Sequence, residues 1–347
     1  MSSDSSRTQR RLRRISLVAV LGGAILFAWT MEQAGTAAVV DGFKRVGAGI
    51  ILIVLLGGVR ALVRTAAWRL CLDDGDRVKF RTMFGAYLAG DAVGNVTPFG
   101  LLASEPSKVV MLRKQIAMPL SVASLTVENL IYTGTVFVVL VIGTAALLLS
   151  FALPPTLRIL CLFVLSVVTL LATAAAWVLA TRQRIVSGFV EWLVRRDAAP
   201  RFLSERLPHI RQTGERIFGF VERHPEHVLP VILLEFAYQA TAVTEIWFAL
   251  TLITGAPASI LTAFVLEAVN RTITIVFQFV PMWLGVDEAG TAAVTTAVHL
   301  GSAAGISLAL VRKTRIVIWT AIGFLIVAYR GLSVGAPAEG AVVVASE

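Results

Sequence analysis

The sequence predicts an all-α integral membrane protein: a polytopic bundle of about six full spans plus two broken re-entrant helical hairpins related by an inverted repeat. Three observations predict it. Hydrophobic residues fill 56% of 347 positions and charged residues 15%, against roughly a quarter charged in soluble domains, so lipid is the solvent for much of the surface. Apolar runs of spanning length recur along the chain. Two further apolar stretches are interrupted by Gly, Pro and charged residues in matching patterns. A soluble fold is excluded, and little length is left for a large extramembrane enzyme domain. The net charge of +9 is concentrated in the N-terminal tail and in loops between apolar runs, which makes it a topology signal and gives no reason to expect a nucleic-acid partner. Cys71 and Cys161 have no CxxC spacing and read as packing residues.

Taken in order, residues 1–14 form a basic tail carrying Arg7, Arg10, Arg11, Arg13 and Arg14. The run Ile15–Met31 follows as an uncleaved anchor, with the N-terminus cytoplasmic in a bacterial inner membrane. The first membrane half covers 15–180. After an amphipathic piece near Val39 to Val46, the second run, Gly47 to Trp68, holds Arg60 and Arg64 on one helical face, where snorkelling toward a membrane end is the expected role. The segment FGAYLAGDAVGNVTPFGLLASEPSKVVMLRK reads as a broken helix with its break at 90–108. Spans follow from Val122 to Phe151 and from Leu157 to Ala180, separated by Pro154 and Pro155. Residues 181–227 hold nine Arg against six acids with apolar residues at helical spacing, an amphipathic connector on the cytoplasmic surface. The second half, 228–330, has a span from Val228 to Thr254, a break at 279–290 and a last run from Ile306 to Tyr329. Residues 331–347 are a tail expected to be flexible.

Parity argues for hairpins at the breaks. A full crossing near Asp91 would place the nine-Arg connector outside, whereas a segment that enters and returns keeps it inside, together with Lys108, Arg113 and Lys114. The two breaks also match each other. Pro98 to Glu105 and Pro281 to Glu288 are each separated by seven residues, at an offset of 183. Irregular backbone at membrane depth is tolerated where protein or a water cavity covers it, and two breaks entering from opposite faces are a transporter arrangement.

Ionisable residues inside the membrane are costly and tend to face a cavity or a partner. The candidate substrate-binding set is Asp91, Asn95, Pro98, Glu105, Lys108, Glu128, Arg271, Pro281, Gly285, Glu288, Arg312 and Arg315, with Glu267 and Asp287 beside them. Helix breaks expose backbone N–H groups that suit phosphate or carboxylate, and nearby basic side chains complete a headgroup site. The competing reading pairs these charges with one another, Glu128 with a base of the last span and Glu105 with Lys108, to hold the bundle together. Glu235 and Glu245, ten apart in one span, line a pathway in one reading, and in the other Glu235 sits near an interface. His224 and His227 have a metal-ligand spacing, but Pro225 and the charged surroundings favour a solvated loop, so no metal and no cofactor is expected. No GxSxG, SxxK, HExxH or P-loop occurs, and no catalytic residue is assigned.

The breaks resemble those of the transmembrane, flippase-like region of lysylphosphatidylglycerol synthases and their stand-alone relatives. The resemblance covers nearly the whole chain, but only the breaks are specific. It rests on Gly90, Asp91, Pro98, Gly100, Glu105, Lys108, Arg113 and Lys114 at the first break and on Glu128 in the next span. At the second break it rests on Pro281, Gly285 and Glu288, and in the last span on Arg312 or Arg315. Asn129 stands where the family has Arg, so no pairing with Glu128 is expected there, and Met282 and Trp283 replace small residues, Trp283 altering the pocket. The resemblance implies lipid translocation or handling; relatives that make lysyl lipid carry an additional soluble aminoacyltransferase domain, which is not expected here. The leading expectation is a lipid flippase or transporter for a polar-headgroup lipid. The alternatives are a membrane-embedded enzyme on a lipid-linked phosphate, with Asp91, Glu105 or Glu288 on a divalent cation, and a scaffold for a separate lipid-modifying enzyme.

Overall fold

The computed structural model describes residues 25–72, 78–180 and 219–334. The basic tail 1–14, the start of the first apolar run, most of the connector at 181–227 and residues 335–347 lie outside them. Among the described residues every regular element is helical, as a chain in lipid requires when it does not close into a barrel. Residues 25–34 are helical, and there follow α1 (Thr36–Val46), α2 (Gly49–Leu70), α3 (Phe80–Val96), α4 (Gly100–Leu112), α5 (Met118–Ser150), α6 (Pro155–Ala180), α7 (Pro225–Thr254), α8 (Ile260–Val276), α9 (Val286–Ala297) and α10 (Ser302–Val334).

Helix ends follow local chemistry. Pro119, Pro155 and Pro225 sit in the first turns of α5, α6 and α7, where the missing N–H has no helical partner to lose. Gly255 closes α7 in the left-handed conformation, with φ 69°. Four helices are long and apolar enough to cross a membrane: α2, α5, the Pro155–Trp177 part of α6, and α7. The protein is therefore a multi-pass, all-α membrane protein. α10 has 33 residues but carries Arg312, Lys313 and Arg315 in its first half. α6 differs from the other three in burying 6% of its apolar window, against 39–44% for them, so it stands at the margin of the described bundle with most of its apolar surface exposed.

α3, α4 and α9 have 17, 13 and 12 residues. They are about 25, 20 and 18 Å long, short of a hydrocarbon core of about 30 Å. Each break has its own stop. Thr97 is extended, the conformation favoured before a proline, and Phe99 follows at φ 55° before α4 restarts at Gly100. At the second break Pro281–Trp283 makes one 3-10 turn with Met282 and Trp283 at φ 53° and 51°, and Gly285 at φ 81° precedes α9. Three non-glycine residues in the left-handed region are a local strain that the surrounding packing has to hold. The two breaks touch: the Phe99 N–H donates to the Gln278 carbonyl at 3.0 Å, and the Phe99 and Phe279 rings are 6.5 Å apart.

Two apolar cores organise the bundle. One joins Val46, Ile53, Leu147, Leu250, Leu266 and Leu308 from α1, α2, α5, α7, α8 and α10. The other joins Trp68, Met83, Ala86, Leu112 and Leu125 from α2 to α5. The first hairpin closes through glycine. A methyl at Gly100 would stand 2.4 Å from the Gly94 carbonyl oxygen, so α3 and α4 meet backbone to backbone, as small residues allow in membranes. Gly134 of α5 has open space where its Cβ would be. Gly100→Ala is expected to cost about 1–3 kcal/mol, read as a lower melting temperature in detergent, whereas Gly134→Ala leaves it level or higher; equal melting temperatures would contradict the close hairpin.

Candidate functional site

Along α2, Ile53 belongs to the first apolar core and Trp68 to the second. Arg60 and Arg64 fall between them, and both are buried. They do not snorkel, because acids on α5 and α7 neutralise them in place. Arg60 donates from Nη1 to Glu245 Oε2 at 3.2 Å and from Nη2 to the Tyr238 hydroxyl at 3.0 Å. The other oxygen of Glu245 lies 2.7 Å from Arg315 Nε, so one carboxylate serves two guanidiniums. Arg64 donates from Nε to Glu128 Oε1 at 2.6 Å and from Nη2 to Asn129 Oδ1 at 3.1 Å, with its guanidinium 3.8 Å from the centre of the Tyr132 ring. Glu128 therefore pairs with α2 and not with the last span as the sequence suggested.

Several other charges also have partners. Arg271 binds Glu267 one turn earlier at 2.7 Å and donates to the Tyr132 hydroxyl at 2.9 Å. Arg312 donates to Asp287 Oδ1 at 2.7 Å, and Lys313 lies 2.6 Å from Glu288 Oε1. Glu288 uses its second oxygen to accept the Gly285 N–H at 2.8 Å, which holds the turn of the second break in shape. At the first break Lys108 and Glu105 pair at 2.7 Å. Asn129 Nδ2 donates to the free oxygen of Glu105 at 2.9 Å, so this neutral amide links Arg64 to the hairpin.

These layers enclose a cavity of about 150 Å³, with room for several waters or a small polar headgroup. Asp91 and Asn95 face it from α3, Arg60 from α2 and Tyr238 from α7. Arg271 and Asn270 reach it from α8, and Trp283 and Asp287 from the second break. Arg312, Arg315 and Trp319 complete the wall from α10. Four arginines and two aspartates line the cavity, and Glu245 and Glu267 behind the wall pair with three of those arginines. Arg60 Nε, Arg271 Nη2 and Arg312 Nε and Nη1 are buried without a hydrogen-bond partner. Planar guanidinium donors of this kind match phosphate and carboxylate oxygens.

The structure thus brings Asp91, Asn95, Arg271, Arg312 and Arg315 to one cavity. Glu105, Lys108 and Glu128 stand in the paired network beside it, while Pro98, Pro281, Gly285 and Glu288 shape the breaks. Sequence reasoning missed Arg60, Tyr238 and Trp319 as cavity residues. For Arg60 the signal was two arginines one turn apart inside an apolar run, with Glu245 as the unmatched acid elsewhere. At the start of α7, His224, Glu226 and His227 offer ligand atoms all within 4.8 Å of one another, and the two imidazoles stack at 5.4 Å.

A family described as the lysylphosphatidylglycerol synthase TM region matches residues 15–327. The chain belongs to this family. No curated protein and no solved structure matches it. Membership in the lysylphosphatidylglycerol synthase TM family ties the chain to membrane lipid.

Removing one acid from a shared pair leaves buried charge exposed to lipid-like surroundings. Glu245→Gln, which strands both Arg60 and Arg315, is expected to lower stability by about 3–5 kcal/mol. Asp91→Asn, at a half-buried side chain, serves as the comparison in thermal unfolding in detergent, and a loss at Glu245 no greater than at Asp91 would refute the shared-pair role.

Proposed function

We propose that the protein moves a lipid with an anionic or zwitterionic headgroup across the bacterial inner membrane, the headgroup passing through the arginine-lined cavity while its acyl chains stay in the bilayer. The observation that carries this reading is the set of buried, unpartnered guanidinium N–H groups on Arg60, Arg271 and Arg312 around one cavity. Unpaired donors at membrane depth are costly, and an anionic group in the cavity supplies the acceptors they lack.

The helix order supports an alternating route. α2 to α5 have 22, 17, 13 and 33 residues, and α7 to α10 have 30, 17, 12 and 33. Each series is a long helix, a short hairpin and a long helix. We read them as inverted repeats whose hairpins re-enter from opposite faces, with the N-terminus cytoplasmic by the arginines of the tail. The headgroup then meets each side of the membrane in turn at the place where the breaks abut. Transport is downhill or ion-coupled.

Proteoliposomes carrying fluorescent phospholipids test this with a membrane-impermeant quencher. The protein is expected to expose inner-leaflet lipid to the quencher, faster for anionic than for uncharged headgroups. Replacing Glu267 and Arg271 together by Gln removes a cavity donor without stranding its partner, and is expected to slow the exchange ~10–100-fold, the worth of one charged hydrogen bond. Absence of exchange for every headgroup class would sink the proposal.

A further inference from the structure

Beside the cavity network lies a second cluster that the headgroup route does not use. Glu235 of α7 has no exposed surface, and neither of its carboxyl oxygens has a hydrogen-bond partner. Its neighbour cation is Arg64, whose Nε is 3.9 Å from Glu235 Oε1 and only 2.6 Å from Glu128 Oε1. Glu128 keeps Oε2 buried and unpartnered. One guanidinium thus faces two carboxyl groups and is committed to one of them.

The second cation near Glu235 is already paired. From α2 and its end it faces Arg64 and Cys71, from α5 Glu128, and from α8 Arg271 at longer range. Arg271 is held by Glu267. The charged groups of α1 and α10 near α7, Arg45 and Arg315, bind Ile253 and Glu245 further along that helix. Glu222 and Arg223 lie exposed before its start. A carboxylate sealed from water with no donor of its own takes up a proton in preference to staying charged.

We propose that Glu235 is a proton-binding site whose occupancy drives the lipid movement, an inference that rests on the function proposed above. With the proton on Glu235, Arg64 belongs to Glu128. When the proton leaves for water on one side of the membrane, the new carboxylate competes for Arg64. Arg64 also contacts the Tyr132 ring, whose hydroxyl accepts from Arg271 at the cavity wall, and it donates to Asn129, which holds Glu105 of the first hairpin. A shift of Arg64 toward Glu235 therefore reaches both the anion donors and the hairpin.

Two measurements on the full chain test this. Infrared difference spectra are expected to show a protonated carboxyl band at neutral pH that is lost in Glu235→Gln. The band is also expected to be lost in Glu128→Gln, where Glu235 becomes the sole acidic partner of Arg64 and ionises. A band unchanged in Glu235→Gln, or its absence from the unmodified protein, overturns the proton site. In proteoliposomes an imposed pH gradient is expected to bias the leaflet distribution of fluorescent phosphatidylglycerol several-fold, and Glu235→Gln to keep exchange without the gradient while losing the bias. A bias that persists in Glu235→Gln, or a protein that exchanges lipid with no response to the gradient, overturns the coupling. If no lipid moves while the carboxyl band behaves as expected, the lipid function fails and with it the coupling, but the proton site stands.

Discussion

A charge at membrane depth has to be neutralised where it stands, and in this chain the arginines of α2 impose that requirement on most of the bundle. Arg60 draws in Glu245 of α7 and, through the same carboxylate, Arg315 of α10. Arg64 draws in Glu128 and Asn129 of α5, and Asn129 draws in Glu105 of the first hairpin. The apolar cores on either side of this layer pack without direction, so side chains of the right size are interchangeable there. Ion pairs are directional and lose heavily if mismatched, so they fix which helices adjoin and at what height. Specificity of the fold and polarity of the cavity thus arise from the same residues.

Guanidinium groups suit that double role. Each presents five N–H donors, more than one carboxylate accepts, so an arginine that satisfies a structural partner still has donors to offer elsewhere. Arg60, Arg271 and Arg312 each keep at least one N–H in reserve after pairing. A lysine at any of these places would give charge without that planar surplus. The rings of Tyr132 and Tyr238 stand against Arg60, Arg64 and Arg271 and add cation–π attraction, while their hydroxyls accept from Arg271 and Arg60.

Much of the element order was legible from residues alone. The positions of the breaks followed from Pro98 and Pro281 among apolar neighbours, and the expected span from Val122 to Phe151 became Met118–Ser150, starting four residues earlier because Pro119 fits the first turn of a helix. The Glu105–Lys108 pair was readable because its members are one turn apart. Partner choice across the bundle was not. Arg64 and Glu128 are separated by 64 residues, and Arg60 and Glu245 by 185. Helical periodicity says which face a charge occupies but not which other helix comes to meet it. The sequence therefore assigned Glu128 to the last span and Arg60 to a snorkelling role, and only the packing of α2 on α7 and α5 corrected both.

The hydrogen bond between the Phe99 N–H and the Gln278 carbonyl joins the two breaks through main chain alone. Side-chain substitution at either position leaves both groups in place, although the positive φ of residue 99 favours glycine or asparagine over β-branched side chains there. Proline at 99 would remove the donor, and the positive φ of that residue already excludes proline. The contact can therefore persist while the side chains at both tips vary within what the backbone of residue 99 permits.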